Sequence, residues 1–218
     1  MHKLCVKNCK VCKGIGCDVC SRKKARMMQY EKAGIPMEFW DKSFKNFSGN
    51  SNFKRFFSSA LKNLDSFYEK GKSMFIYGGL GTGKTYSACC MLKIAVTKGY
   101  SCHYTNMSDI INKTLSRDEG SGSYIKELSE YDFLVIDELD KRWIFPSEKT
   151  KIIFGSNIEN ILRNRFQNML PTIMCSNTIS FEEIFDEDYA KAISSLSSKY
   201  VKSIPLGGLD LRRKNVWR

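Results

Sequence analysis

The chain predicts an α/β fold: a parallel sheet flanked by helices, preceded by a small cysteine-rich element. Three observations predict it. From about residue 53 onward, short apolar strands alternate with helical stretches, as in a parallel sheet covered on both faces. A glycine-rich run, Gly78 to Thr85, falls between one such strand and the helix after it. Ahead of both, five of the nine cysteines crowd into the first 20 residues.

Composition sets the outer limits. Hydrophobic residues make up 42% of the 218-residue chain and charged residues 27%, which excludes a fibrous or fully disordered protein. No apolar run reaches the roughly 18 residues a membrane span needs, and no apolar signal-peptide core follows Met1. A cytoplasmic protein with no membrane partner is therefore expected. Net charge is +12, and residues 1–32 hold nine Lys/Arg against Asp18 and Glu31. So uneven a charge points to an anionic partner, of which nucleic acid is the commonest; solubility is the plainer reading.

Taken in order, residues 1–26 are expected as a small element, 27–52 as a connector and 53–218 as the core. Gly34-Ile35-Pro36 breaks the connector, and Phe39, Trp40, Phe44 and Phe47 anchor it. Phe53–Lys70 has Phe56, Ala60, Leu64 and Phe67 near a 3.6-residue period and predicts one helix. Ser73–Tyr77 predicts a strand, Lys84–Thr97 a helix closed by Gly99, Ser101–Thr105 a strand and Met107–Leu115 a helix. Arg117–Ser123 reads as a Gly/Ser loop. Phe133–Ile136 has no polar residue, as a strand buried on both faces should. Ser147–Asn168 is mostly helical, Thr172–Cys175 a strand, Phe181–Phe185 and Tyr189–Lys199 helical, and Tyr200–Ile204 a last strand. Cys89, Cys90, Cys102 and Cys175 sit in apolar stretches and read as buried small hydrophobes.

Gly78-Gly79-Leu80-Gly81-Thr82-Gly83-Lys84-Thr85 fits G-x-x-x-x-G-K-[ST] in the strand-to-helix context that motif requires. Its glycines let backbone N–H groups point inward at phosphate oxygens, and the helix N-terminus adds partial positive charge. Lys84 is expected on the β- and γ-phosphates of ATP, and the Thr85 hydroxyl on Mg²⁺. The apolar strand ending in Asp137-Glu138 delivers two carboxylates to the edge where ligands bind in such sheets. Asp137 is expected to contact Mg²⁺ through water, and Glu138 to orient and polarise the attacking water.

These residues resemble the AAA+ ATPases, and more narrowly the DnaC/DnaI-type helicase loaders and the related IstB transposition helpers. The resemblance runs from about Ile35 to Arg212. It implies an AAA+ P-loop core with no separate helical lid. Pro171 to Asn177 looks like the fourth core strand, with Asn177 as the sensor that bonds the γ-phosphate or the attacking water; capping the next helix is the other reading. Arg165, six residues before Pro171, matches the arginine finger that completes a neighbouring subunit's ATP site, with Arg163 as second choice. Both arginines also read as an ordinary solvated face. Gly208-Leu209-Asp210-Leu211-Arg212 matches the loaders' closing G-x-D-x-R. The helix before it offers Lys199 for the sensor-2 position, where the family usually has Arg.

Cys9-x2-Cys12 and Cys17-x2-Cys20 supply four thiolates, which suit structural Zn²⁺; redox pairs or free thiols are the alternatives. The gap between the two pairs is short for a zinc ribbon, so Cys5 could replace one ligand. So short a segment would take its folding energy from the metal. DnaI-like loaders carry such an element before the ATPase, where it contacts the helicase. The basic run Arg22-Lys23-Lys24-Ala25-Arg26 follows it and faces DNA, an acidic helicase surface, or only solvent. The resemblance thus implies an ATP-dependent loader of a DnaB-type helicase hexamer onto single-stranded DNA, self-assembling through its arginine finger. The alternatives are an IstB-type transposition helper or a nucleotide-gated adaptor without catalysis.

Overall fold

The computed structural model describes residues 9, 11–12, 16–115, 121–140 and 148–212, with backbone alone at 121 and 148–153. Five strands of five residues each form its sheet: β1 (Ser73–Tyr77), β2 (Cys102–Asn106), β3 (Phe133–Asp137), β4 (Thr172–Ser176) and β5 (Val201–Pro205). All pair in parallel, in the order β2-β3-β4-β1-β5. The three inner strands are mostly apolar and almost wholly buried, while at the edges β2 is only partly buried and β5 carries exposed residues.

Side chains alternate along a strand, so each strand feeds two cores. Met74, Ile76, Phe133, Val135, Ile173 and Cys175 face the layer built from α1 (Asp18–Lys32), α2 (Ser51–Lys62), α3 (Leu64–Glu69) and α4 (Lys84–Thr97). Phe75, Leu134, Ile136 and Met174 face α5 (Met107–Leu115), α6 (Ser121–Glu130), α7 (Glu148–Gln167) and α8 (Glu187–Tyr200). Cys89, Cys90, Cys102 and Cys175 are buried, as their apolar neighbours imply, and burial raises each thiol. Among the described residues no α-helix follows β5, and no helix is long and apolar enough to cross a membrane.

Four elements differ from the sequence expectation. The helix expected over Phe53–Lys70 breaks at Asn63, whose side-chain Nδ2 and backbone N–H both donate to Ser59 O, at 2.9 and 3.1 Å. An amide side chain that competes for backbone carbonyls ends a helix in this way. Helix α6 begins at Ser121 inside the expected loop, because Tyr124, Ile125 and Leu128 bury one face. Residues 116–120 lie outside the described residues. The expected helix Phe181–Phe185 is a 3-10 turn over Phe181–Glu183. Helix α1 starts at Asp18 and runs past residue 26 to Lys32, carrying Tyr30 and Ala33 into the core.

The connector is part of that core. Trp40, Phe44 and Phe47 are buried, and Phe44 packs on Phe47 and Phe57 with ring centroids 5.0 and 4.8 Å apart. Lys93, buried in α4, clamps this segment. Its ammonium donates to Phe39 O at 2.7 Å, to Trp40 O at 2.8 Å and to Lys42 O. Those carbonyls lie at and just after the 3-10 turn over Met37–Phe39, and Phe39 O also accepts from Lys42 N–H at 3.2 Å.

Arg165 performs the same service on the other face. It is fully buried, and its guanidinium donates to Thr172 Oγ1, Leu128 O, Tyr131 O and Pro171 O at 2.7–2.9 Å. It joins the end of α6 to the start of β4. Desolvation weakens its hold on its proton, and Asp132 partly offsets this. Arg165→Ala removes the donors to Leu128 O, Tyr131 O, Pro171 O and Thr172 Oγ1 and leaves a cavity. We expect it to cost about 3 kcal/mol or more, read as a fall in the urea midpoint without nucleotide. An unchanged midpoint contradicts this role.

Candidate active site

The parallel register brings the ends of β3, β4 and β1 to one edge. Tyr77 pairs with Ser176, and Ile136 with Met174, so the segments beginning at Gly78, Glu138 and Asn177 leave the sheet side by side. The glycine-rich loop follows β1 and leads into α4, whose N-cap is Gly83 in a left-handed conformation, φ +102°. Gly81 and Gly83, like Gly78 against Leu206 O, are fixed by close neighbours as well as by φ. A Cβ at Gly81 would lie 1.8 Å from Asp210 Oδ1, and one at Gly83 would lie 2.7 Å from a Phe47 ring carbon. The closing segment and the connector therefore wall the loop on two sides. Leu211 N–H donates to Gly81 O at 2.9 Å, and Thr82 Oγ1 to Gly79 O at 2.9 Å.

Lys84 is buried at the mouth of this loop. Its ammonium donates to Gly78 O, Gly79 O and Asn177 Oδ1, each at 2.8 Å, which uses all three of its protons. Burial lowers its pKa below the ordinary lysine value, the carboxylates of Asp137 and Asp140 act the other way, and the charge of Arg212 adds to the lowering. Thr85 follows in the first turn of α4, partly exposed.

Asp137 ends β3 almost fully buried. Its Oδ1 accepts from Glu138 N–H at 2.9 Å and its Oδ2 from the Tyr104 hydroxyl at 2.8 Å. Burial, then the Asp137 charge, raise the Tyr104 hydroxyl far above an ordinary phenol, so it is a donor at any working pH. Glu138 is exposed and sits at φ +54°, a conformation that costs a non-glycine residue about 1 kcal/mol or more. Asn177 caps no helix. Its backbone N–H and side-chain Nδ2 donate to the two oxygens of Asp140, at 2.8 and 2.6 Å. Lys84, Asn177 and Asp140 thus form one hydrogen-bonded chain across the strand ends.

The structure gathers Gly78, Gly79, Gly81, Thr82, Gly83, Lys84, Thr85, Asp137, Glu138 and Asn177 at this edge. It does not bring Lys199 there. Lys199 lies in the last turn of α8, and β5 begins by pairing Val201 with Ser73 at the start of β1. The whole length of β1, roughly 13 Å, separates that end from the phosphate loop. Lys199 instead lines a groove of about 410 Å³ with Phe56, Lys72 and Lys202. Arg165 does not face outward either. Its guanidinium is caged by carbonyls, so it cannot extend to a neighbouring subunit's phosphates as a finger must. Arg163 is half-exposed and pairs with Glu159. Two residues join the site that the motifs leave unassigned, Asp140 and Tyr104, and the charge of Arg212, from the closing motif, also acts on Lys84. Asp140 had a signal, being a further acid three residues after Asp137. Tyr104 had none, since only the pairing of β2 with β3 aims it at Asp137.

The second cluster lies ahead of the core. The sulfurs of Cys9, Cys12, Cys17 and Cys20 lie within 4.8 Å of one another, with Cys9 Sγ 3.9 Å from Cys17 Sγ and Cys12 Sγ 3.5 Å from Cys20 Sγ. Sulfurs on a tetrahedral zinc with bonds of about 2.3 Å stand at such separations, so these four can hold the metal. Cys17 is the N-cap of α1 and Cys20 lies in its first turn. Gly16, at φ +110°, turns the chain so that its N–H reaches Cys12 Sγ at 3.3 Å. Cys5 lies outside the described residues. Arg22, Lys23, Lys24 and Arg26 line exposed positions of α1.

Known proteins share this architecture. The DnaC helicase loader superposes with a TM-score of 0.62 at 19% identity, over 79% of this chain and 100% of that one. DnaI superposes at 0.60 and 18%, over 80% and 93%. DnaA from Aquifex aeolicus, bound to AMPPCP, superposes at 0.57 and 22%, over 79% and 52%. This chain spans about half the length of the DnaA and replication initiation factor chains it matches. At these identities the likeness shows a common fold. No curated protein matches the sequence. The family described as IstB-like ATP binding protein matches residues 20–193, most of the chain. The chain belongs to that family of IstB-like ATP binding proteins, and its core is an AAA+ P-loop ATPase domain.

Proposed function

We propose that this protein is an ATP-dependent loader that places a DnaB-type replicative helicase on single-stranded DNA. One observation carries the reading: a four-cysteine cluster heads a basic helix that is packed directly onto the ATPase core. The resemblance gives such an element to DnaI-like loaders, where it contacts the helicase. The match to IstB-like proteins begins only at Cys20 and leaves the other three cysteines of the cluster, Cys9, Cys12 and Cys17, outside. A transposition helper remains the second reading, favoured by that same family match.

The site's chemistry follows from its donors. With ATP bound, Lys84 exchanges its bonds to the Gly78 and Gly79 carbonyls for the β- and γ-phosphates and keeps Asn177 in reach of the γ-phosphate. A hydroxyl and a carboxylate beside a phosphate cradle fit a hard cation, so Thr85 and Asp137 would hold Mg²⁺. That ion would neutralise charge on the phosphates. Glu138 polarises the attacking water. Arg163, rather than Arg165, is the arginine placed to reach a neighbouring copy. Cys9, Cys12, Cys17 and Cys20 hold Zn²⁺, and the exposed basic face of α1 meets the helicase or the DNA backbone.

Glu138→Gln should slow hydrolysis about 100-fold or more while keeping ATP affinity. A pull-down with that variant and ATP should recover a DnaB-type helicase; a transposase as the main prey reverses the choice of function. Metal analysis of protein purified without chelator should find close to one zinc per chain, and Cys12→Ser should lose it together with helicase capture. Less than about half a zinc per chain contradicts the ligand set. Single-stranded DNA affinity should fall with salt at a log–log slope of about −0.7 per phosphate contacted. A flat response rules out electrostatic binding.

A further inference from the structure

The hydrogen bonds around Asp137 continue away from the strand ends toward the N-terminus. We propose that Tyr104 is a positioning residue that holds Asp137 for magnesium and ties its placement to helix α1. The inference rests on the reading of Asp137 as a magnesium carboxylate.

Tyr104 lies on the edge strand β2, two residues before Asn106, which pairs with Asp137. Its ring is partly buried against the core and its hydroxyl meets Asp137 Oδ2 at 2.8 Å. Glu138 N–H holds Oδ1 at 2.9 Å. One donor on each oxygen fixes the plane of the carboxylate. Each oxygen keeps a second lone pair, which suffices for a metal-bound water. Among the described residues, without the phenol only a backbone N–H from the adjoining residue constrains the group. Metal ligands with such outer hydrogen bonds owe much of their affinity to them.

The same residue is fastened on its other side. Tyr104 N–H donates to Ala33 O at 2.8 Å, and Ala33 is the residue that ends α1. Gly34 follows at φ +68°, so close that a Cβ there would lie 2.8 Å from Tyr104 O. The chain beyond cannot swing free. Trp40 Nε1 donates to Ile35 O at 2.7 Å, and Lys93 clamps the carbonyls of Phe39 and Trp40. Helix α1 is therefore a rod of 15 residues, about 22 Å long. Its first turn carries Cys17 and Cys20, and its last residue abuts the strand that aims Tyr104. A partner that displaces the cysteine element moves the carboxylate of Asp137 through two hydrogen bonds.

The test is affinity for a fluorescent, non-hydrolysed ATP analogue, titrated against Mg²⁺ and repeated in EDTA. Tyr104→Phe keeps the ring and removes the donor. The Mg²⁺ concentration at half-effect should rise about tenfold, with affinity in EDTA unchanged. No shift overturns the proposal, and equal losses with and without Mg²⁺ overturn it in favour of a structural role. Gly34→Ala presses on Tyr104 O and should raise the Mg²⁺ midpoint in the native background but add nothing to Tyr104→Phe. Additive effects break the link to α1. Asp137→Asn separates the two readings: if it leaves the Mg²⁺ response intact, the assignment of Asp137 itself fails, whatever Tyr104 does.

Discussion

A parallel sheet forces like ends of its strands together. Because β4 lies between β3 and β1, an acid at the end of β3, an amide after β4 and a glycine loop after β1 share one edge without any long-range device. The whole phosphate-binding site depends on that shared edge. The Lys84–Asn177–Asp140 chain spans all three strand ends, so the ammonium is positioned by the sheet as much as by its own loop. The walls of the loop come from farther off in sequence, with Phe47 on one side and Asp210 on the other.

Buried cations recur as fasteners. Lys93 and Arg165 lie on opposite faces of the sheet, and each spends its protons on main-chain carbonyls. A cation so used satisfies groups that no regular element serves, which is why a segment as irregular as 33–50 can belong to the core. Residues 33–50 are thereby built into the core and are no tether beside it.

The sequence was legible where chemistry and local geometry coincide. The phosphate loop dictates its own turn, the strand before Asp137 must be buried on both faces, and the short gap between cysteine pairs still lets four sulfurs converge. It was illegible where a residue's value depends on distant packing. Lys199 stands at a reasonable distance in sequence before the closing motif, yet spacing says nothing about which end of a strand a residue occupies. Arg165 carries a charge that reads as solvent-facing, and only the meeting of α6, α7 and β4 gives it four acceptors. Helix α6 hid behind a glycine and serines because its apolar face, Tyr124, Ile125 and Leu128, is short. Tyr104 looked like an ordinary strand aromatic until β3 lay beside it.

The cage around Arg165 also bears on how the domain comes apart. A guanidinium with four acceptors drawn from α6, the turn after it and the start of β4 cannot be half released. Loosening any one wall leaves a charge in an apolar interior without its full complement of acceptors, and loosening all admits water to the base of the sheet. Those segments open together or stay shut. The edge bearing Lys84 is thus backed by a layer that moves as one block.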